Sequence, residues 1–161
     1  MLEWFNRTFG KARLLRWVLN CYPPYLGAGV RIQSISADFC RARVRMGLGW
    51  YNRNYVGTQF GGSLYSMVDP FFMLMLMENL GRDYTVWDKA ANIDFIAPGK
   101  GPVFAEFSID QALLDEVRQR TASGEKYLPV LTVDIHDGQG TLIARVEKTL
   151  YVRRKPPARQ A

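Results

Sequence analysis

The feature that most constrains the fold of this chain is a stretch over residues 60–80 that is apolar almost throughout. Within residues 64–77, three positions are not apolar: Ser66, Asp69 and Pro70. The length of the stretch predicts a helix that ends at Gly81. Because a helix that is apolar on every side must be surrounded by protein, the pattern favours a sheet that curls around one central helix.

Residues on both sides of this stretch alternate between apolar and polar side chains, which predicts β-strands. The predicted strands cover residues 30–35, 40–46, 92–97, 103–110, 131–135 and 142–152. A Gly- and Asn-rich loop is predicted over residues 47–59, and a short helix over residues 112–121. Two strands, one helix and four strands, without an internal repeat, predict a single α+β domain over residues 25–152.

The net charge of +6 is concentrated at the two ends of the chain. Residues 1–24 are expected to form an amphipathic helix, over residues 3–20, that packs on the domain surface; contact with a membrane surface is the alternative. Residues 153–161 are basic and aperiodic, which is typical of a disordered tail. Because the body between the ends is close to neutral, the sequence argues against a nucleic-acid partner.

Cysteine content and hydropathy predict a cytoplasmic protein. Cys21 and Cys40 fit neither a metal motif nor a disulfide framework, so we expect no metal centre and a reducing compartment. The N-terminal residues lack the apolar core of a signal peptide. The longest apolar run, Phe71–Met77, is too short to span a bilayer.

Asp69 is a charged residue inside the apolar part of the predicted central helix, where apolar side chains are expected. An unpaired buried carboxylate is costly, so Asp69 must be paired, cap a helix end, or serve a function. One interpretation is structural: Pro70 suits a first helical position, and Asp69 would then cap a second helix that begins at Phe71. The other interpretation is that Asp69 acts as a general base or nucleophile in an apolar site.

Gly61 and Gly62 lie at the predicted start of the same helix, where backbone N–H groups have no intrahelical acceptor. Such amides, at the positive end of the helix macrodipole, can stabilise an oxyanion that develops on a carbonyl; the alternative is simple turn chemistry. The eight-residue separation of Gly61 from Asp69 corresponds to about 12 Å of helical rise. If both residues act on one substrate, a site across a two-fold dimer interface is predicted.

The start of this helix resembles the HGG-x-L-(F/Y)-x-(L/M)-x-D signature of hot-dog-fold acyl-CoA thioesterases of the phenylacetate-pathway type. The matching residues run from Phe60-Gly61-Gly62 to Asp69. Asn54, seven residues before Gly61, fits the amide, glycine and acid order of that superfamily, and residues 92–98 resemble its next strand. Over about residues 25–152, the order of elements resembles that of the superfamily. The resemblance extends to a group within it that is labelled tetrameric acyl-CoA thioesterases.

The resemblance implies a hot-dog fold, a homodimer or homotetramer, and coenzyme A as part of the substrate, with no other cofactor. It implies that Asp69 attacks the thioester or activates water, that the Gly61 amide polarises the carbonyl, and that Asn54 orients the carbonyl or the water. The acyl group is expected to be medium, long or aromatic. Further expected substrate contacts are Phe60, Gly62, Ser63, Ser66 and Met73, with Arg53, Lys89 and Lys100 near the phosphates of coenzyme A.

One position departs from the signature, because Phe60 replaces its histidine. A phenyl ring cannot donate a hydrogen bond or orient water. Two hypotheses therefore stand: hydrolysis of acyl-CoA, favoured by Asp69, Gly61 and Asn54, and non-catalytic binding of acyl-CoA or lipid by a hot-dog dimer, favoured by Phe60.

Overall fold

The structure is a computed structural model that describes residues 2–156, with side chains described from residue 10 onward. Its helices are α1 (Leu2–Asn20), α2 (Pro23–Ala28), α3 (Gly61–Ser66), α4 (Phe71–Leu80) and α5 (Gln111–Arg120). Its strands are β1 (Val30–Ile35), β2 (Arg41–Met46), β3 (Tyr84–Phe95), β4 (Val103–Ser108), β5 (Lys126–Tyr127), β6 (Val130–Asp137) and β7 (Leu142–Arg154).

The strands form one antiparallel sheet in the order β1-β2-β4-β6-β7-β3, and the short β5 also pairs with β7. The inner face of the sheet packs against α4. The Phe107 ring of β4 lies 4.8 Å from the Phe71 ring and 5.2 Å from the Phe72 ring, measured between centroids. These contacts confirm the predicted α+β architecture, in which a sheet packs around a central helical segment that is apolar on all sides.

The central helical segment predicted over residues 60–80 is present but not continuous, and the alternative of a second helix that begins at Phe71 is confirmed. The helix is interrupted between Ser66 and Phe71, and α4 begins directly after Pro70. Proline has no N–H to donate to the preceding turn, and its ring clashes with the carbonyl four residues earlier. The proposed cap at Asp69 is also wrong, because Pro70 is the N-cap residue of α4 and no side chain caps this helix.

Several segment boundaries differ from the sequence predictions, most of them by one or two residues, and one helix was not predicted. Strand β3 begins at Tyr84, eight residues before the predicted start, because it pairs with β7 along its whole length despite a register shift between Asp88 and Ala90. Residues 23–28 form α2, since proline is tolerated at the first positions of a helix. Strand β7 extends to Arg154, so the predicted tail begins later, and its residues 157–161 lie outside the described chain.

Helix α1 packs along β1, with Ala12 buried and Leu19 half-buried against the core. The side chains of residues 2–9, in the first half of the predicted amphipathic helix, are outside the described residues. Leu14 and Trp17 are exposed on the other face of the helix. No helix in the described part of the chain has the length and apolar character needed to cross a membrane.

The two edges of the sheet differ in how they are covered. At the β1 edge, the Asn20 side chain donates to the Ile32 carbonyl at 3.1 Å and accepts from the Ile32 amide at 2.8 Å. At the opposite edge, β3 has no neighbouring strand on its outer side within residues 2–156, and residues 89–92 are exposed. An uncovered strand of this length presents backbone groups that can pair with another chain.

Replacing Asn20 by alanine is expected to lower the free energy of unfolding by about 1–2 kcal/mol, because the Ile32 amide and carbonyl lose their partner. Chemical denaturation measures the change. The matched control is Gln119→Ala, at an exposed position of α5, which should stay within about 0.5 kcal/mol of the parent. Equal unfolding free energies for Asn20→Ala and the parent would contradict this edge-capping role.

Candidate functional site

A cleft of about 380 Å³ opens where α3 begins. Its walls come from the loop before α3 and from the segment that follows β3. Asn54, Gly61, Leu64, Phe95 and Pro98 are among the lining residues. The cleft therefore combines apolar walls with the start of a helix, and it brings the predicted residues Asn54 and Gly61 together.

The backbone at the start of α3 presents free donors. The amides of Ser63 and Leu64 both donate to the Phe60 carbonyl. No acceptor among the described residues pairs with the amides of Gly61 and Gly62. These two N–H groups are consequently available to a ligand, as the sequence predicted for this position.

Two phenyl rings lie against these glycines. A Cβ at Gly61 would lie 2.9 Å from Cζ of Phe95, and a Cβ at Gly62 would lie 2.5 Å from Cε1 of Phe60. The Phe60 side chain is 55% exposed and Phe95 is 59% exposed, so both rings lie at the surface. The free amides therefore sit between two exposed aromatic groups, in an apolar setting that strengthens hydrogen bonds to a ligand.

Asn54 lines the cleft, but its side chain serves its own loop. It accepts from the amides of Val56 and Thr58 and donates to the Thr58 hydroxyl at 2.8 Å and to the Gln59 carbonyl at 3.3 Å. In this arrangement the side chain fixes the wall of the cleft. A direct contact between Asn54 and a substrate carbonyl remains a prediction.

Sequence reasoning missed two buried amides that hold this loop in place. Asn52 is 2% exposed; it donates to the carbonyls of Ala28 and Gly47 and accepts from the Gly49 amide. Gln59 is 3% exposed and donates to the carbonyls of Gly47 and Gly101. No periodicity marks such residues in a sequence, because their partners are backbone groups brought together by the fold.

Asp69 lies outside this cleft, at the break between α3 and α4. Its side chain is 49% exposed, and its Oδ1 accepts from Nζ of Lys148 at 3.0 Å. Lys148 projects from β7 and is completely buried; its Nζ also lies 3.3 Å from Oδ2 of Asp88 and 3.1 Å from the Tyr65 hydroxyl. Asp69 is thus paired with Lys148. Together with Asp88, these residues form a charge cluster that the sequence analysis did not predict.

Burial and charge act in opposite directions within this cluster. Burial lowers the pKa of Lys148, but hydrogen bonds to Asp69 and Tyr65 and the charge of Asp88 outweigh it, and the pKa is raised above its usual value. Burial raises the pKa of Asp88, and the nearby Lys148 opposes this rise. Burial also raises the pKa of the Tyr25 hydroxyl, and the negative charge of Asp69 raises it further.

The remaining predicted contacts are spread over both regions. Ser63 is buried, Ser66 donates to the Gly62 carbonyl at 2.9 Å, and Met73 packs half-buried against the core. The three basic residues are all exposed. Arg53 lies in the loop before α3, Lys89 lies at the register shift of β3, and Lys100 directly follows Gly99 of the cleft wall. All six therefore remain predictions as substrate contacts.

Comparison with known proteins identifies the family. Residues 10–152 match the family model described as domain of unknown function DUF4442. The chain belongs to the DUF4442 family. No match was found among curated protein sequences.

Solved structures show that this DUF4442 domain has the predicted hot-dog fold. A Pseudomonas aeruginosa protein of unknown function, described as a probable thioesterase, is 19% identical with a TM-score of 0.77, covering 88% of this chain and 95% of that one. A Haemophilus influenzae thioesterase is 15% identical with a TM-score of 0.65, covering 92% and 94%. A Chlorobaculum tepidum protein of unknown function is 16% identical with a TM-score of 0.70, covering 89% and 94%. These identities establish a common fold, and the phenylacetate-pathway subgroup stays a prediction.

In this DUF4442 protein, Asn52→Ala is expected to lower the free energy of unfolding by about 2–3 kcal/mol, because buried backbone groups of the cleft loop lose their partners. Urea denaturation measures the loss, and hydrogen exchange at the Gly49 amide should become faster. Gln139→Ala, in the exposed β6–β7 turn, is the control. Unchanged exchange at Gly49 would show that Asn52 does not hold the loop.

Proposed function

We propose that this DUF4442 protein hydrolyses acyl thioesters of coenzyme A at a site shared by two chains. The observation that carries the proposal is that the amides of Gly61 and Gly62 have no partner among the described residues and that Gly61 lines the cleft beside Phe95 of the edge strand. The thioesterase descriptions of the P. aeruginosa and H. influenzae neighbours support the reaction type. Asp69, half-exposed and ionically paired, supplies the carboxylate.

The free edge of β3 supports a shared site. Gly61 lies beside Phe95 at one end of β3, whereas Asp69 is bound to Lys148, whose partner in the sheet is Ala91. When two copies of β3 pair antiparallel about a two-fold axis that passes at Ile93, Phe95 of one strand lies opposite Ala91 of the other. Such pairing moves Asp69 of one chain towards Gly61 of the partner subunit and also covers the exposed edge.

The proposed reaction uses the free amides at the start of α3 and the Asp69 carboxylate. The thioester carbonyl oxygen accepts hydrogen bonds from the free amides, which stabilise the negative charge that develops when the acyl carbon is attacked. Asp69 acts either as the base that takes a proton from the attacking water or as the nucleophile that forms an anhydride with the acyl group. In the base route the C–S bond breaks, and the thiolate of coenzyme A takes up the proton that Asp69 removed from water. In the nucleophile route the thiolate leaves first, and water then hydrolyses the anhydride, which regenerates Asp69 and supplies the proton that the thiolate takes up.

The walls of the cleft indicate the acyl group. Leu64, Phe95 and Ile96 make it apolar, which suits a medium, long or aromatic acyl chain. Asn54 acts by positioning the loop that forms one wall. Arg53, Lys89 and Lys100 are exposed cations available to the phosphates of coenzyme A. The cytoplasmic location expected from the sequence stays a prediction.

Binding without hydrolysis is the second candidate function, and Phe60 favours it. The ring of Phe60 lies over Gly62 and offers no hydrogen bond to water or carbonyl. Calorimetric titration with acyl-CoA, together with a hydrolysis assay over a series of chain lengths, separates the two functions. Binding with no release of coenzyme A at any chain length supports a binding protein and contradicts the enzyme.

The Gly61 amide is tested by a matched pair of variants. Gly61→Ala and Gly61→Pro both place a Cβ against the Phe95 ring, but proline alone removes the N–H, and it suits a first helical position after the extended Phe60. We expect Gly61→Pro to lower kcat about 100-fold relative to Gly61→Ala. Steady-state hydrolysis of acyl-CoA measures both rates, and equal rates would rule out a role for this amide.

The shared site is tested by mixing two inactive variants. Asp69→Asn and Gly61→Pro should each lose activity as homodimers. Random pairing makes half of the dimers mixed, each with one intact site of two, so about a quarter of the parental activity returns on coexpression. Asp115→Asn, on α5, is the control that keeps full activity. A coexpressed mixture that stays inactive would place Asp69 and Gly61 in separate functions or in one chain.

A further inference from the structure

We propose that Lys148 is a positioning residue, which orients the Asp69 carboxylate and keeps it ionised beside the second carboxylate of Asp88. The kinetic part of this inference rests on the proposed function. The structural part stands on the geometry of the cluster at the break between α3 and α4. Neither the family match nor the neighbouring structures assign a role to Lys148 or Asp88.

The Lys148 ammonium group makes two hydrogen bonds, to Asp69 and Tyr65, and an ion pair with Asp88. An ammonium group has three N–H donors. Three oxygen atoms surround Nζ: Oδ1 of Asp69 at 3.0 Å, the Tyr65 hydroxyl at 3.1 Å and Oδ2 of Asp88 at 3.3 Å. Because the lysine side chain is completely buried, water cannot replace any of these partners. The ammonium group therefore has little freedom, and it fixes the direction of Asp69 Oδ1.

The two carboxylates are not equivalent. Asp88 has a side chain 19% exposed, and its Oδ1 is buried without a hydrogen-bond partner, which makes it costly as an anion. The side chain of Asp69 is 49% exposed, so solvent reaches it while its Oδ1 accepts from Lys148. A purely structural ion pair needs one carboxylate, whereas this lysine holds two, one of them accessible to solvent.

The charge balance explains what the lysine does. One cation and two anions leave a net charge of −1 when all three groups are ionised. The other titratable groups that face the cluster are the hydroxyls of Tyr25 from α2 and Tyr65 from α3, which are neutral at physiological pH. Without Lys148, two neighbouring carboxylates would repel each other with no cation between them, which disfavours the state in which both are ionised.

A set of variants separates the effect of the Lys148 cation from the effect of the second anion, Asp88. Lys148→Met keeps an unbranched side chain, one atom shorter, and removes the charge; because it leaves two carboxylates without their cation, it also lowers stability. We expect the acid limb of the pH–kcat profile to move upward by about one pH unit or more, with KM little changed. Adding Asp88→Asn to Lys148→Met should reverse most of this shift. Lys126→Met, at an exposed position of β5, is the control and leaves the profile unchanged.

A second readout does not depend on activity. Carbon-13 NMR of labelled aspartate carboxyls follows the titration of Asp69, whose signal is assigned by its loss in Asp69→Asn. The midpoint of this titration should rise in Lys148→Met. Should Lys148→Met fail to fold, Asp88→Asn alone tests the same idea, because removal of the neighbouring anion should lower the midpoint for Asp69.

The outcomes are distinguishable. An Asp69 midpoint that is unchanged in both Lys148→Met and Asp88→Asn overturns the inference, whether or not the parent hydrolyses thioesters. A shifted midpoint in a parent protein that hydrolyses no acyl-CoA upholds the electrostatic role of Lys148 and overturns the proposed function. A shifted midpoint together with a matching shift of the pH–kcat profile supports both.

Discussion

Burial of the apolar α3–α4 segment against the inner face of the sheet is the constraint on which the rest of the structure depends. The rings of Phe71, Phe72 and Phe107 pack together at the centre, so the segment cannot turn or slide without breaking the core. Pro70 interrupts this segment at the surface of the packed region. The interruption lets Asp69 leave the core while its neighbours Val68 and Phe71 stay buried.

The break has a chemical consequence. A carboxylate within an uninterrupted buried helix would be desolvated on all sides, and it would give up its charge. At the break, Asp69 instead reaches solvent on one side and the buried ammonium of Lys148 on the other. The packing of the core thereby supplies a rigid cationic support for an accessible anion, at a fixed distance from the edge strand β3.

Sequence patterns predicted the elements of the fold better than the contacts of the site. The period of two located every strand longer than two residues, although it missed the first eight residues of β3, where exposed alanines and a register shift obscure the alternation. The unusual position of Asp69 was also visible. Its partner was not, because 79 residues separate Asp69 from Lys148 and nothing in the sequence relates them. Asn52 and Gln59 escaped notice for the same reason.

The sequence by itself determined the fold class and the position of the apolar segment that holds the candidate site, because hydrophobic periodicity and the two glycines are local properties of the chain. It also located the acid at residue 69 and the amides at residues 61 and 62. Only the tertiary structure decided that the acid is held by a buried lysine, that the amides are unpaired between two phenyl rings, and that one sheet edge is open. These facts depend on contacts between residues far apart in sequence, which only the folded chain brings within hydrogen-bonding distance.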